Sequence, residues 1–110
     1  MASAFVIAKN AAGKFRFNLR AGNNQIILTS ETYEAKAGAL NGVESVRKSS
    51  QDDARYVRKT AKDGSPYFVL TATNGETIGK SEMYSSTSSM ENGIKSVKTT
   101  APKAPIVDNT

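Results

Sequence analysis

The sequence contains neither cysteine nor histidine. Their absence removes thiol nucleophiles, the usual zinc ligands and the one side chain whose unperturbed pKa lies near neutrality. Catalysis would have to rest on carboxylates, lysine, tyrosine or serine with strongly shifted pKa values. Because no recognised catalytic motif is present either, we predict a protein that is not an enzyme and that holds no metal and no cofactor.

Long apolar runs are also missing, and none approaches the roughly 20 residues that a membrane-spanning helix needs. The first nine residues lack the basic region of a secretory signal, and their apolar stretch is short for one. Without cysteine there is no disulfide framework. We therefore expect no membrane span and a cytoplasmic location.

Charge of either sign is modest: the 110 residues include 15 lysines and arginines against 10 aspartates and glutamates, a net charge of +5. Solubility alone accounts for a charge of this size, although weak binding of nucleic acid or another polyanion remains the second functional hypothesis. Cations near the helix ends also complement the helix dipole without any ligand. The candidate polyanion contacts are Arg16, Arg20, Arg47, Lys48, Lys95 and Lys98.

The dominant feature of the chain is an internal repeat with an offset of 51 residues. When residues 5–49 are aligned with 56–100 without a gap, 14 of 45 positions are identical. A repeat of this length has a marginal core on its own. We therefore expect the two copies to share one core.

Within each copy, the residue pattern predicts three strands and a helix. Alternation of apolar residues through 15–21 indicates a half-buried strand, preceded by a strand at 4–9 and followed by one at 25–30. Tight turns are predicted at 10–13 and 22–24. Apolar residues at i, i+4 and i+7 predict helices over about 35–48 and 86–99, with Gly42 and Gly93 at a close approach to the sheet or to the twin helix.

These elements predict an α+β protein of tandem duplicated β-β-β-α-β repeats, about 4–54 and 55–108. The repeats would share one antiparallel sheet core with two helices packed on it, related by a pseudo-twofold axis. A short strand near Tyr56 would close the first copy and open the second. We expect a single domain over residues 1–110, with a short flexible segment near 99–105.

Each copy also contains Ser-Glu-x-Tyr, whose serine is the last residue of the predicted third strand: Ser30, Glu31 and Tyr33, then Ser81, Glu82 and Tyr84. Two carboxylates that face one another can split their pKa values and serve as acid and base. The simpler interpretation is that serine and glutamate satisfy backbone donors at the helix entry while tyrosine packs over the core edge. A carboxylate-lined small-ligand site at the repeat junction is the third functional hypothesis.

Taken together, these motifs resemble the YegP-like family, small bacterial proteins of uncharacterised function. The shared pattern is Gly-x-Phe/Tyr-x-Phe-x-Leu, Asn-x-x-x-Ile, Ser-Glu-x-Tyr and Gly-Val/Ile-x-Ser-Val-Arg/Lys, present in both copies across residues 5–100. One departure is Pro66, which stands where the pattern has an aromatic residue. The resemblance implies that tandem members imitate a dimer of single-repeat members, with one continuous sheet and exchanged terminal strands.

The favoured functional hypothesis is a non-enzymatic interaction or accessory module. The sequence leaves its partner unknown, and both a protein and a nucleic acid suit it. We expect a monomer in which the duplication takes the place of a homodimer.

Overall fold

A computed structural model describes residues 3–23 and 25–110 of the chain. The elements are β1 (Ala4–Lys9), β2 (Phe15–Arg20), β3 (Ile26–Ser30), α1 (Lys36–Ser49), β4 (Tyr56–Thr60), β5 (Pro66–Thr71), β6 (Thr77–Lys80), α2 (Thr87–Thr100) and β7 (Ile106–Asp108). A 3-10 turn, Asp53–Arg55, precedes β4. The predicted order of strands and helices is confirmed.

The strands form one sheet in the order β4-β5-β6-β3-β2-β1-β7. The two repeats meet where β3 and β6 pair antiparallel, with Thr29 opposite Lys80 and Ser30 opposite Gly79. Thr29 and Lys80 are themselves 51 residues apart, which places the pseudo-twofold axis at this pair. Leu28 and its equivalent Gly79 flank the axis, and a Cβ at Gly79 would meet the Leu28 Cγ at 2.9 Å. The seam therefore pairs a large side chain with none.

The predicted α+β fold is confirmed, with one addition to the sheet. Every neighbouring pair of strands is antiparallel except β1 and β7, which run parallel with Phe5 opposite Ile106. The sheet is therefore mixed. The strand that ends the second repeat is added to the outer side of the first repeat, as the family resemblance implied.

Both helices lie on the same side of the sheet and contribute to one apolar core. The apolar residues that the helical pattern places on one face are buried: Ala39, Val43, Val46, Met90, Ile94 and Val97. Phe5, Phe17, Leu19, Phe68 and Leu70 reach the core from the strands. Apolar burial of this kind contributes about 25 cal/mol per Å² removed from water. Since residues of both repeats belong to the same cluster, each repeat covers apolar surface of the other.

The predicted hairpin turns depend on glycine where the backbone turns left-handed. Gly13, in the turn predicted at 10–13, and its repeat equivalent Gly64 have φ values of 78° and 88°, a region that residues with a Cβ rarely adopt. The turn predicted at 22–24 includes residue 24, which lies outside the described residues.

The segment near 99–105, predicted to be flexible, contains the end of α2 and a turn. Ala101 and Ala104 are buried in it, and the Arg47 Nη2 donates a hydrogen bond to the Ala104 carbonyl oxygen at 2.6 Å. This turn brings the chain from α2 to β7. Neither helix in the described part of the chain has the length and apolar character needed to cross a bilayer.

Candidate functional site

The serine of Ser-Glu-x-Tyr closes the sheet ladder between the second and third strands of each repeat. The Ser30 hydroxyl accepts a hydrogen bond from the Phe17 N–H at 2.9 Å and donates one to the Glu31 carbonyl at 2.7 Å. Ser81 repeats both contacts with Phe68 and Glu82, at 3.0 and 2.8 Å. A buried N–H left without a partner would be costly, so this serine is structural. It acts within the sheet and not at the helix entry.

The tyrosine of the motif stacks on the core aromatic of its own repeat. The Tyr33 ring lies 6.3 Å from the Phe17 ring at an interplanar angle of 10°, and the Tyr84 ring lies 6.4 Å from the Phe68 ring at 11°. This stacking keeps one tyrosine at the same place at the edge of each half of the core.

The helix glycines make room for these tyrosines. A Cβ at Gly42 would lie 2.4 Å from the Tyr33 hydroxyl oxygen, and one at Gly93 would lie 2.2 Å from that of Tyr84. The close approach predicted for the two glycines is therefore present. Its nearest partner is the tyrosine of the same repeat, and at Gly42 the Phe17 ring of the sheet is also close, at 2.8 Å. The predicted approach to the sheet is therefore present at Gly42, and the twin helix is not among the nearest contacts of either glycine.

Both tyrosines keep an unbonded hydroxyl. Neither donates to nor accepts from any other residue that the structure describes, whereas the buried Tyr56 hydroxyl donates to the Ser50 carbonyl at 2.9 Å. Burial, and then the neighbouring Glu31, raises the pKa of Tyr33; burial and Glu82 do the same to the pKa of Tyr84. Both hydroxyls therefore remain protonated donors at neutral pH.

Two pockets lie at the junction of the repeats, and each takes walls from both. In the first, Glu82, Met83 and Tyr84 of the second repeat face the hairpin residues Gln25 and Ile26 of the first, around a cavity of about 530 Å³. We call this the Gln25 pocket. Its walls come from opposite repeats because β3 and β6 are neighbours.

The second pocket is the pseudo-twofold equivalent of the first. Glu31 and Tyr33 of the first repeat face Asn74 and Glu76 of the second, around a cavity of about 410 Å³. We call this the Glu76 pocket; helix α1 adds Asn41 and Ser45 to its wall. Gln25 and Glu76 are equivalent positions, so the Glu76 pocket holds one more carboxylate than the Gln25 pocket.

The structure does not bring Glu31 and Glu82 into a common site. Each is exposed, and each lines a different pocket. The facing pair of carboxylates considered from the sequence is therefore not found. Glu31 instead shares its pocket with Glu76, a residue that the sequence did not single out.

Two of the six predicted polyanion contacts are held by internal contacts. Arg47 and Lys98 are equivalent positions; the first lies over the Phe5 ring at 5.4 Å and the second over the Tyr56 ring at 5.6 Å. Each also pairs with a carboxylate, Arg47 with Glu44 and Lys98 with Asp53. Cation–π and ion-pair contacts of this kind anchor the helix ends to the sheet.

The other four predicted contacts are distributed over both layers of the molecule. Arg16 and Arg20 lie on β2, where the Arg20 Nε donates to the Asn18 side chain at 3.2 Å. Lys48 lies on α1 and Lys95 on α2, and both are exposed. Arg16, Lys48 and Lys95 make no salt bridge with any other described residue, so they remain available to an anion.

Sequence reasoning missed the hairpin residues that complete the pockets. Gln25 and Glu76 lie in one repeat while their pocket partners lie in the other, so only the order of strands brings them together. The space that the helix glycine leaves for the motif tyrosine, which we call the tyrosine notch, did have a signal in the sequence. In both copies a glycine, Gly42 or Gly93, follows the motif tyrosine by nine residues.

These features define a tandem α+β repeat protein with duplicated pockets at the repeat junction. A family model described as "Domain of unknown function (DUF1508)" matches the chain twice, at residues 10–56 and 61–108. The two matches begin 51 residues apart, in agreement with the repeat found in the sequence.

The chain belongs to this family, the UPF0339 or YegP-like proteins. A UPF0339 protein of Bordetella pertussis is 57% identical over 108 residues, which cover 98% of this chain and 97% of that protein. The NMR structure of a UPF0339 protein from Shewanella oneidensis has a TM-score of 0.92 at 46% identity, covering 98% of this chain and 92% of that one. The NMR structure of YegP from E. coli, a protein of unknown function, has a TM-score of 0.94 at 45% identity, covering 100% and 95%.

Proposed function

We propose that the protein is a non-enzymatic binding module and that its ligand occupies the two pockets at the repeat junction. The observation that carries this proposal is their construction: each pocket combines the Ser-Glu-x-Tyr segment of one repeat with the hairpin of the other. A concave site at an interface between structural units is the usual place for a small ligand. The tyrosine hydroxyl at each pocket is free to donate.

The lining residues favour a ligand that carries protonated amines. Glu31 and Glu76 line one pocket and Glu82 the other, and the described lining residues of both pockets include no lysine or arginine. On a chain of net charge +5, these pockets are local sites of negative charge. An ammonium group paired with a carboxylate makes a charge-assisted hydrogen bond, about twice as strong as a neutral one.

The two pockets should differ in affinity because Glu76 is replaced by Gln25 at the equivalent position. A linear diamine can pair one ammonium with Glu31 and the other with Glu76, whereas the Gln25 pocket offers the single carboxylate of Glu82. We expect the Glu76 pocket to bind a diamine roughly tenfold more tightly, a factor equal to about 1.4 kcal/mol.

The test is a titration of the ¹⁵N-labelled protein with putrescine, followed by amide chemical shifts. Uncharged 1,4-butanediol, which has the same length, is the control ligand. We expect putrescine to shift the amides around Tyr33 and Glu76 first and those around Tyr84 at higher concentration. Absence of any shift at millimolar putrescine, or equal shifts with butanediol, would reject amine binding.

A matched pair of variants locates the ligand. Glu76→Gln gives the second pocket the residue of the first, so it should reduce putrescine binding there about tenfold. Gln25→Glu gives the first pocket the residue of the second and should raise its affinity. If neither substitution changes the titration, the pockets are not the site.

Polyanion binding remains a separate prediction that rests on the exposed Arg16, Lys48 and Lys95. Fluorescence anisotropy with single-stranded and duplex probes at low salt tests it, because phosphate contacts weaken as salt is added. The cytoplasm remains our proposal for the location of the protein, and a monomer our proposal for its oligomeric state.

A further inference from the structure

The two outer edges of the sheet are unequal, although the pseudo-twofold axis relates them. The first strand of the first repeat, β1, pairs with β2 on one side and with β7 on the other. The first strand of the second repeat, β4, pairs with β5 alone among the described residues and ends the sheet. The equivalent of β7 is therefore missing beside β4. We call the free side of β4 the β4 edge.

The cause of this difference is that one short stretch of chain is equivalent both to the last strand of a repeat and to the first strand of the next. Residues 55–57 are equivalent to β7 by the offset of 51, and they also belong to the segment equivalent to β1. The structure uses them as part of the first strand of the second repeat. Because these residues already form part of β4, they cannot also form a separate strand beside β4. The sheet position next to β4, equivalent to that of β7 next to β1, therefore stays open.

The way β7 lies on β1 shows how a strand is added to such an edge. The Phe5 N–H donates to the Pro105 carbonyl at 2.8 Å, and the Asn109 N–H donates to the Ile7 carbonyl at 2.8 Å. By the pseudo-twofold relation, the equivalent groups on β4 are those of Tyr56 and Arg58. The Tyr56 N–H is bonded to the Asp53 carbonyl in the 3-10 turn. The available part of the β4 edge is therefore Val57–Thr60.

We propose that the β4 edge binds an extended, acidic segment of a partner protein, added to the sheet as a parallel strand. Main-chain hydrogen bonds would supply affinity, as in other cases of strand addition, and the flanking side chains would supply specificity. The position is built, and its occupant on the opposite edge is β7. This inference does not depend on the junction pockets.

Charge selects the class of occupant. The three strands of the second repeat carry Arg58, Lys59 and Lys80 and no carboxylate. Arg58 is paired with Glu91 and Asp53, but Lys59 makes no salt bridge with any residue in the described part of the chain. An acidic side chain on the incoming strand, next to Lys59, gains an opposite charge there.

The same charges disfavour a second copy of this chain. If two β4 edges paired antiparallel with each other, the unpaired Lys59 side chains of both copies would lie on the same face of the joined sheet. The Arg58 side chains would lie on the other face, where each is paired with Glu91. Like charges placed opposite one another on neighbouring strands are destabilising, and charged residues on edge strands are a common means of preventing self-association. The β4 edge therefore favours an acidic strand over the β4 edge of a second copy of this chain.

Apolar side chains complete the recognition surface. Val57 is 40% exposed, and its cross-strand neighbour Val69 lies beside it on β5. The Tyr67 ring, with the Lys80 ammonium 5.0 Å from its centroid, follows along the same strand. Val57 and Lys59 lie on the same face of β4, two residues apart, with Val69 and Tyr67 opposite them. Because side chains alternate between the two faces of a strand, a segment of alternating β-branched and acidic residues can place all its acidic side chains on the Lys59 face and its β-branched ones on the other.

The experiment uses three fluorescein-labelled hexapeptides and the full chain. The first is (Val-Glu)₃, the second is (Val-Lys)₃, and the third is the acidic peptide with proline at its third position, which removes a main-chain donor. We expect binding of the acidic peptide only, with slower amide hydrogen exchange of Arg58 on binding. We also expect an affinity that falls as salt is added.

Lys59→Glu should weaken binding of the acidic peptide about tenfold, while Lys95→Glu makes the same charge change on α2 and should leave it within about twofold. Failure to bind at millimolar peptide, equal binding of the basic peptide, or equal effects of the two variants would overturn the proposal. So would a dimer in sedimentation whose contact protects the Arg58 amide. The putrescine titration reports on the junction pockets separately.

Discussion

The outer strands of the two repeats, β1 and β4, occupy equivalent positions in the sheet but have different surroundings. On β1, Ile7 is fully buried and its backbone is covered by β7. At the equivalent position on β4 stands Arg58, whose guanidinium donates two hydrogen bonds to the Glu91 carboxylate at 2.6 and 3.0 Å. The helix residue equivalent to Glu91 is Leu40, which packs against the core.

The two outer edges differ in the polarity of two equivalent residue pairs. Where a strand covers the edge, both positions of the pair are apolar. Where the edge is open, both are charged and form an ion pair. Arg58 and Glu91 thus stand at the open edge, at the positions that Ile7 and Leu40 occupy at the covered edge.

The largest expected effect comes from placing the residue of the open edge in the covered one. Ile7→Arg would bury a charge in the core beside Asp108, whose carboxylate is already paired with Lys36, and should lower the free energy of unfolding by roughly 4 kcal/mol. Arg58→Ile, the reverse exchange at the exposed edge, should change it by less than about 1 kcal/mol. Urea unfolding measures both. Similar losses for the two variants would show that the edges are not different in the way described.

A second contrast concerns the helix glycines. A Cβ at Gly42 would lie 2.8 Å from the Phe17 ring as well as 2.4 Å from the Tyr33 hydroxyl, and Phe17 is buried. The three atoms nearest to a Cβ at Gly93 all belong to the ring and hydroxyl of Tyr84, which is half-buried.

We therefore expect Gly42→Ala to cost about 2 kcal/mol and Gly93→Ala about 1 kcal/mol, since overpacking outweighs the better helix propensity of alanine. Thermal unfolding of the two variants would rank them. Greater stability of Gly42→Ala than of the wild type would mean that the tyrosine notch is not tightly packed.

A smaller contrast lies at the start of the second strand of each repeat. The Phe15 N–H and carbonyl exchange hydrogen bonds with Tyr33, at 2.8 and 2.7 Å. At the equivalent position, Pro66 lacks an N–H, and only the bond from the Tyr84 N–H to its carbonyl remains, at 2.9 Å. Phe15→Pro should cost about 1–2 kcal/mol in chemical unfolding through one lost bond and some lost packing.

Pro66→Phe is the matching exchange and should stabilise the chain by less than about 1 kcal/mol, because the gain of a hydrogen bond is offset by a more flexible unfolded state. A loss of stability in this variant would indicate that proline is required at the β5 start, contrary to the comparison.

The smallest effect is a dependence of stability on pH that belongs to the second repeat. Hydrogen bonds from Arg58 hold the pKa of Glu91 below its ordinary value of 4.5. A folded-state pKa below the unfolded one stabilises the protein above pH 4.5, and this contribution is lost as the pH falls below that value. Leu40 makes no such contribution in the first repeat.

Melting temperatures measured between pH 7 and pH 3 test this effect. The melting temperature of the wild type should be higher than that of Glu91→Gln at pH 7, and the difference between the two melting temperatures should become smaller as the pH falls. A difference that stays constant over this range would exclude the ion pair as its source.

Local pattern and the repeat offset were sufficient to predict the elements and their order. Alternation around Phe17 and Leu19 gave a strand, and the spacing of Val43 and Val46 gave a helix face; both are confirmed. These signals are local, because the spacing of apolar residues over a few neighbouring positions is enough to distinguish a strand from a helix.

The long-range features were not accessible in the same way. Gln25 and Glu76 reach their pockets only through the β3–β6 pairing, and the open β4 edge follows from the use of one segment at two repeat positions. The sequence predicts Arg47 and Lys98 as candidate polyanion contacts, whereas the structure places them over buried aromatic rings. Charge alone does not reveal which face of a helix end meets the sheet.

Amide hydrogen exchange of the native protein tests the central claim most directly, since Ile7 and Arg58 occupy equivalent places on the two outer strands. We predict strong protection of the Ile7 amide, which faces β7, and fast exchange of the Arg58 amide on the open edge. Equal protection of these two amides in the monomer would contradict the account, because it would mean that both edges of the sheet are closed.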